Sequence, residues 1–314
     1  MAENSAISWT DDTFNPWIGC TKVSPACDGC YAEAMMAGRY GRVEWGAPGK
    51  GDGTRSRTAA STWKLPRKWN REQEAHEHNC SLIGETPEPR FVFCASLADV
   101  FDNAVPAEWR RDLFDLIRAT PNLTWLLLTK RPGNIVKLWH ETVTLHMDEP
   151  PDEVERWPLN AAIGCTVVNQ DEADRDIPKL LAAKAALNPA FAFLSMEPLL
   201  GSVDLARLPW RFNGFAVDAP GAPVKTVNGL TGAVESWDRH FPVVDGEVAP
   251  RLDWVITGGE TDQGAHKARP TDPDLFRSLR DQCLAAGVPF HMKQMTRKGP
   301  VPADLQIQDR PHAA

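Results

Sequence analysis

Phe91-Val92-Phe93-Cys94-Ala95-Ser96, the run from Pro106 to Ala119, and Trp125-Leu126-Leu127-Leu128-Thr129-Lys130 decide how this chain is built. The first and third are apolar until they end in a polar residue, as strands covered on both faces do. Between them, Glu108-Trp109-Arg110-Arg111-Asp112-Leu113-Phe114-Asp115-Leu116-Ile117 repeats its apolar residues at helical spacing, with Pro106 in the first turn. Two strands joined by a helical crossover pair in parallel.

The pattern continues along the chain. Gly133 to His140 reads as a short helix, Ala161-Ala162-Ile163-Gly164-Cys165-Thr166-Val167 as a strand, and Asp171 to Leu187 as a long helix. Further strands are Ala192-Phe193-Leu194-Ser195-Met196-Glu197, Trp254-Val255-Ile256-Thr257-Gly258-Gly259-Glu260 and Pro289-Phe290-His291-Met292-Lys293-Gln294, with a helix from Asp272 to Ala286 before the last. Upstream, Ala6-Ile7-Ser8-Trp9-Thr10 has the composition of a first strand. Cys30 to Tyr40 follows as a helix stopped by Gly41. Seven such strands predict an α/β fold, an incomplete or open (β/α) barrel of the TIM type, as one domain over residues 1–300 with a C-terminal tail at 301–314. No strand opens a complete dinucleotide fingerprint, which disfavours a doubly wound sheet. Residues 41–90, broken by glycine and proline, read as a first insertion. Residues 210–250 read as a second, β-rich one, with turn signals at Asn213-Gly214, Asn228-Gly229 and Asp245-Gly246.

Composition narrows the setting. No apolar run approaches the roughly 18 residues of a membrane span, and the N-terminus lacks the basic and apolar regions of a signal peptide, so the expected place is the cytoplasm. Net charge is -8. From Arg39 to Arg71, however, nine basic residues face only Glu44 and Asp52, so this segment is +7 and the rest of the chain is -15. Within it Tyr40, Trp45, Trp63 and Trp69 interleave with the cations, which suits phosphate contact and base stacking by Arg55, Arg57, Trp63, Arg67, Lys68 and Trp69. The plainer reading is a solvated segment pinned to the barrel by its tryptophans.

Three of the seven cysteines stand together, in Gly19-Cys20-Thr21-Lys22-Val23-Ser24-Pro25-Ala26-Cys27-Asp28-Gly29-Cys30-Tyr31. Three thiolates on one loop hold three irons of a 4Fe-4S cluster and leave the fourth open, whereas a structural zinc site takes four ligands, the fourth from His76, His78 or Cys80. The helix that begins after Cys30 would favour thiolates with its positive end. The loop follows the first strand, and in a barrel the strand C-termini build the site. There the sequence places Ser96 and Asp99, Thr129 and Lys130, Thr166 and Asn169, Glu197, Gly258, Gly259 and Glu260, and Lys293. Gly258-Gly259 would bring backbone close to a ligand, leaving Glu260 to accept from an amine or hydroxyl.

These residues carry a resemblance. Trp9-Thr-Asp-Asp-Thr13, Asn15-Pro-Trp-Ile-Gly-Cys20, Cys27-Asp-Gly-Cys-Tyr-Ala-Glu33, Leu127-Leu-Thr-Lys-Arg-Pro132, Glu197-Pro-Leu-Leu-Gly201, Gly258-Gly-Glu260 and Ala286-Gly-Val-Pro-Phe290 together resemble the phage Gp37/Gp68 family, also called DUF5131. In its cysteine loop and expected barrel the chain is in turn similar to radical S-adenosylmethionine enzymes (radical SAM). That similarity implies a 4Fe-4S cluster on Cys20, Cys27 and Cys30, S-adenosylmethionine at the open iron, an external electron donor, and a 5'-deoxyadenosyl radical that modifies or repairs a substrate. A nucleic acid or another phosphorylated molecule is the candidate substrate. The pattern departs in two ways: the first cysteine gap is six rather than three, with Gly29 where an aromatic residue precedes the last cysteine, and Gly258-Gly259-Glu260 lies on a late strand, whereas the Gly-Gly-Glu motif of those enzymes follows the second strand, the place held here by Ser96 and Asp99. The competing reading is a non-catalytic nucleic-acid-binding protein with a structural zinc or iron-sulfur site.

Overall fold

The computed structural model describes residues 3–145, 155–210, 224–238 and 241–311. Its centre is a parallel sheet of β1 (Asp12–Phe14), β2 (Arg90–Cys94), β3 (Leu123–Thr129), β4 (Ala161–Thr166), β5 (Ala192–Met196), β6 (Trp254–Gly258) and β7 (Phe290–Gln294), paired in that order. The sheet curls into a half-barrel flanked by helices, the open (β/α) arrangement that the strand pattern predicts. The helices are α1 (Leu65–Ile83), α2 (Ala107–Arg118), α3 (Ile135–Val143), α4 (Gln170–Leu187) and α5 (Pro273–Ala286).

Side-chain alternation along the strands divides the core in two. Val92, Cys94, Trp125, Leu127, Leu194 and Val255 pack with helix residues such as Leu113, Phe114 and Leu180. Phe91, Phe93, Leu126, Phe193, Trp254 and Ile256 form the inner core with Trp9. Each fully buried aromatic there contributes about 1.5–3 kcal/mol of transfer free energy. Gly164 makes room for one of them, since a Cβ on it would lie 2.5 Å from the Phe193 ring.

The structure corrects two expectations and fills in three others. Residues 6–10 are not a strand; the first strand is Asp12–Phe14, and Trp9 plugs the inner core, its ring 4.6 Å from that of Phe93. Apolar residues that fill a barrel from a turn carry the same composition as a strand. The segment from Cys30 to Tyr40 is one α-helical turn, Tyr31–Glu33, followed by the wider π-turns of Ala34–Arg39. Residues 41–90 lie in the crossover from β1 to β2 and contain the 19-residue α1. Asp245-Gly246 lies inside the strand Phe241–Val248 rather than at a turn. In the C-terminal tail Leu305 is fully buried, and the Ile307 carbonyl and Asp309 amide bond to Met292 and Phe290, covering the β7 edge.

The second insertion is an antiparallel sheet of Leu208–Trp210, Val224–Val227, Ala233–Asp238 and Phe241–Val248. Asn228 makes the predicted turn, its side chain accepting from the Leu230 and Thr231 amides; Asn213-Gly214 lies outside the described residues. Among the described residues no helix is long and apolar enough to cross a membrane.

Candidate functional site

The cysteine loop and the C-terminal ends of the strands enclose a cavity of about 210 Å³. Cys20, Cys27 and Cys30 all line it, together with Lys130, Thr166, Ser195, Glu197 and Lys293 from the strand ends. Phe93 and Trp9 bring the inner core up to it.

The long first cysteine gap has a defined path. The Cys20 carbonyl and Lys22 amide bond to Gly46, each at 3.0 Å, so the loop pairs with the crossover beside it. Ser24 then caps the short 3-10 turn Pro25–Cys27, its Oγ accepting from the Ala26 amide at 3.1 Å. Two arginines grip the loop from elsewhere in the sheet. Arg131, just after β3, donates to the Thr21 carbonyl at 2.6 Å, with its other terminal nitrogen 3.6 Å from Cys20 Sγ. Arg269, after β6, donates to the Pro25 carbonyl at 3.0 Å and meets Asp28 at 3.2 Å. Gly29 explains the missing aromatic: a Cβ there would stand 2.6 Å from Glu260 Oε1.

Each arginine is held by buried carboxylates. Asp99 accepts from Arg131 at 2.9 Å, from Thr129 Oγ1 at 2.8 Å, and from the Phe101 and Lys130 amides. Asp102, also buried, pairs with Arg55. Glu260 receives the Arg269 amide at 2.8 Å, its side chain at 2.7 and 3.0 Å, and His266 at 3.1 Å. Burial alone would raise the Glu260 pKa, but these donors outweigh it and hold the carboxyl down at about 2. Glu260 is therefore a brace for the cysteine loop rather than a free acceptor. Glu197 also lines the cavity, with Oε2 accepting from Trp9 Nε1 at 3.1 Å and Ser195 Oγ at 3.0 Å, and Oε1 2.8 Å from Lys293 Nζ.

Two of the thiols, Cys20 and Cys30, are not preset as thiolates. Burial, and after it the charge of Asp99, pushes Cys20 up to about 12 against the pull of Arg131. Burial raises Cys30 as well, outweighing the amides of the helix that starts there and correcting the expectation from its dipole. A metal must therefore displace protons to bind.

Of the residues placed at the strand ends by sequence, Ser96, Asp99, Thr129, Lys130, Thr166, Glu197, Gly259, Glu260 and Lys293 do line the cavity. Asn169 does not; it caps α4, accepting from the Glu172 amide at 3.0 Å. Gly258 faces Glu197, and Gly259 makes its close approach to the Thr296 backbone, where a Cβ would stand 2.2 Å away, rather than to a ligand. The sequence reading misses Trp9, Ser195, Tyr31 and Arg269 as parts of the site. Trp9 and Tyr31 both sit in the motifs quoted above, which was the available signal.

The basic crossover resolves largely into structure. Arg55 is spent in its buried pair with Asp102, and Trp69 is fully buried. Trp63 meets Phe14 edge-on at 5.6 Å and carries Arg57 4.4 Å above its ring, while Arg57 also pairs with Asp112 at 2.6 Å. Lys68 pairs with Glu3 at 2.7 Å, and Arg67 is exposed. Trp63 and Trp69 thus pin the segment to the barrel.

His76, His78 and Cys80 lie on α1 and none lines the cavity; Cys80 Sγ is 3.6 Å from its own neighbour His76. Among the described residues, no three His, Cys, Asp or Glu side chains gather closely enough to hold one metal ion. Ligands of a single zinc, about 2.3 Å from it, crowd together. Three thiols lining one cavity are the number that a four-iron cluster with one open corner takes.

No curated protein and no solved structure matches the chain. Residues 4–307 match the family model described as a protein of unknown function, DUF5131, and a match over nearly the whole length places the chain in that family.

Proposed function

We propose that this protein is a radical S-adenosylmethionine-type enzyme that modifies or repairs a substrate, with a nucleic-acid base as the reacting group. The observation that supports it is the meeting of Cys20, Cys27 and Cys30 with Lys130, Glu197 and Lys293 around one cavity. The three thiols would hold a 4Fe-4S cluster. When bound, the cluster and S-adenosylmethionine supply reductive cleavage of the sulfonium, giving a 5'-deoxyadenosyl radical that takes hydrogen from the substrate, with an external donor providing the electron. Arg131 orients Cys20 and sets a positive charge beside its sulfur. Glu197, fixed by Trp9 and Ser195, is the acceptor for an amine, and Lys130 and Lys293 are the donors for a carboxylate. Trp9 and Phe93 keep that end of the cavity apolar.

Anaerobic reconstitution with iron and sulfide tests this. The expected result is a visible absorption band with iron and sulfide in near-equal amounts, lost in the Cys20→Ala, Cys27→Ala, Cys30→Ala triple variant, and deoxyadenosine formed under reductant. Protein that takes up no iron refutes the reading. Protein that takes it up but yields no deoxyadenosine supports instead the non-catalytic alternative, a nucleic-acid-binding protein with a structural site.

A further inference from the structure

We infer that a single-stranded nucleic acid runs along an exposed basic track from Arg39 and Arg42, past Arg57, to Lys64 and Arg67. Two shallow grooves make the track continuous, because Arg57 lines both. Arg42 stands in the first groove, and Lys64 and Arg67 stand in the second. Arg39, Arg42, Lys64 and Arg67 are exposed, and among the described residues none has a carboxylate within salt-bridge distance. The acids of the second groove are already engaged, Asp112 by Arg57 at 2.6 Å and Asp115 by Arg111 at 3.2 Å. Four uncompensated cations in a row on a chain of net charge -8 mark a place for a polyanion.

Aromatic faces decide which polyanion. Tyr40 is 52% exposed, with the guanidiniums of Arg39 and Arg42 5.6 and 5.7 Å from its ring. Exposed rings and guanidinium planes stack on unpaired bases. A duplex keeps its base faces inside its own stack and gains nothing from them.

The track also shares a wall with the cavity. Tyr31 and Ala32 line the cavity while Met36, one turn on, lines the first groove; Ser96 and Ala98 line the cavity while Leu97 between them lines that groove. The wall is the apolar cluster of Ile18, Ala32, Met36, Val43 and Leu97, against which Cys30 packs. A strand on the track therefore lies one layer of side chains from the thiols. This deepens the proposed function by naming its substrate class, and its link to the cavity rests on that reading.

The test is fluorescence anisotropy with a labelled oligonucleotide of about fifteen nucleotides, the span of one long single-strand site. It compares the full chain with the Arg42→Glu, Lys64→Glu, Arg67→Glu variant. Loss of three phosphate contacts should weaken binding at least about tenfold at about 50 mM salt, and should lower the slope of log K against log salt by about 2, at about 0.7 per contact. Arg42→Lys with Arg67→Lys should retain most of the affinity. Among the described residues none of the three replaced side chains makes an ion pair; should the variant nonetheless melt early, Arg42→Gln with Arg67→Gln carries the same comparison. The inference is overturned if the unaltered chain binds no oligonucleotide, if the reversal leaves affinity and slope unchanged, if Lys298→Glu, off the track, costs as much, or if a duplex of equal length binds as tightly. Iron content of the same samples separates the two readings: strand binding without iron refutes the cluster and leaves the track, while iron without strand binding does the reverse.

Discussion

Replacing Glu260 by Gln removes the charge that joins the cysteine loop to the far side of the sheet, and the structure gives that loss a size. The carboxyl is nearly buried and held at about 2 instead of 4.5 by Arg269 and His266. A difference of that size stabilises the folded chain by about 3 kcal/mol when both folded and unfolded states are ionised. Because the folded value is the lower one, this stability is present above about pH 4.5 and disappears as pH falls toward about 2. Glutamine keeps one acceptor but no charge, so E260Q should unfold at lower urea than the unaltered chain at neutral pH, by about 2–3 kcal/mol. The gap should close as pH is lowered. Limited proteolysis at neutral pH should cut E260Q first within residues 20–30, where the lost brace acted. A gap between the two proteins that stays constant from pH 7 to pH 3 would show that the Arg269 pair contributes no charge-dependent stability, and the reasoning would fail.

Two further outcomes follow from buried groups. Arg55→Ala takes the nearer cation from the buried Asp102 carboxylate and leaves Arg131 at 3.9 Å, the side chains of the pair being 4% and 5% exposed, and should cost about 3 kcal/mol in urea unfolding; R55A with D102N should recover part of it. His291 is kept neutral by burial, its pKa pulled down to about 4, and its Nε2 sits 2.8 Å from Ser8 Oγ. Its ring signals should not titrate above about pH 5, and its contribution to stability, present above its unfolded value of about 6.5, should be lost as pH falls to about 4 and be absent in H291Q; titration near 6.5 would refute its burial.

Much of the fold was legible because six strands are apolar runs ending in a polar residue, and nothing else in the chain looks like them. β1 was not, because Asp12 is a buried charge within it, answered by Arg90 from β2 at 2.7 Å. No single-strand pattern reveals a partner 78 residues away. α1 hid for another reason. Its buried stripe is Pro66, Trp69, Gln73 and Cys80, helical in spacing but with a glutamine at its centre and charged residues around it. At the site, the carboxylates at the strand ends were found, but the acceptor role given to Glu260 was not right. Glu260 and Asp99 line the cavity but are engaged by arginines, and Glu197 is paired with Lys293. Which carboxylate is consumed depends on Arg269 and Arg131, and their reach across the sheet is a matter of tertiary placement.

The sheet runs from β1 at one edge to β7 at the other, and no backbone ladder joins those two strands. A closed barrel fixes its own radius through its ring of hydrogen bonds; this one cannot. The cysteine segment follows β1 at one edge, is gripped by Arg131 after β3 and by Arg269 after β6, and so acts as a tie rod across the open mouth. A tie rod carries load in both directions. Whatever draws the three sulfurs together also pulls on the strand ends that carry Lys130 and Glu260, so the ordering of the loop and the width of the cavity are one mechanical variable.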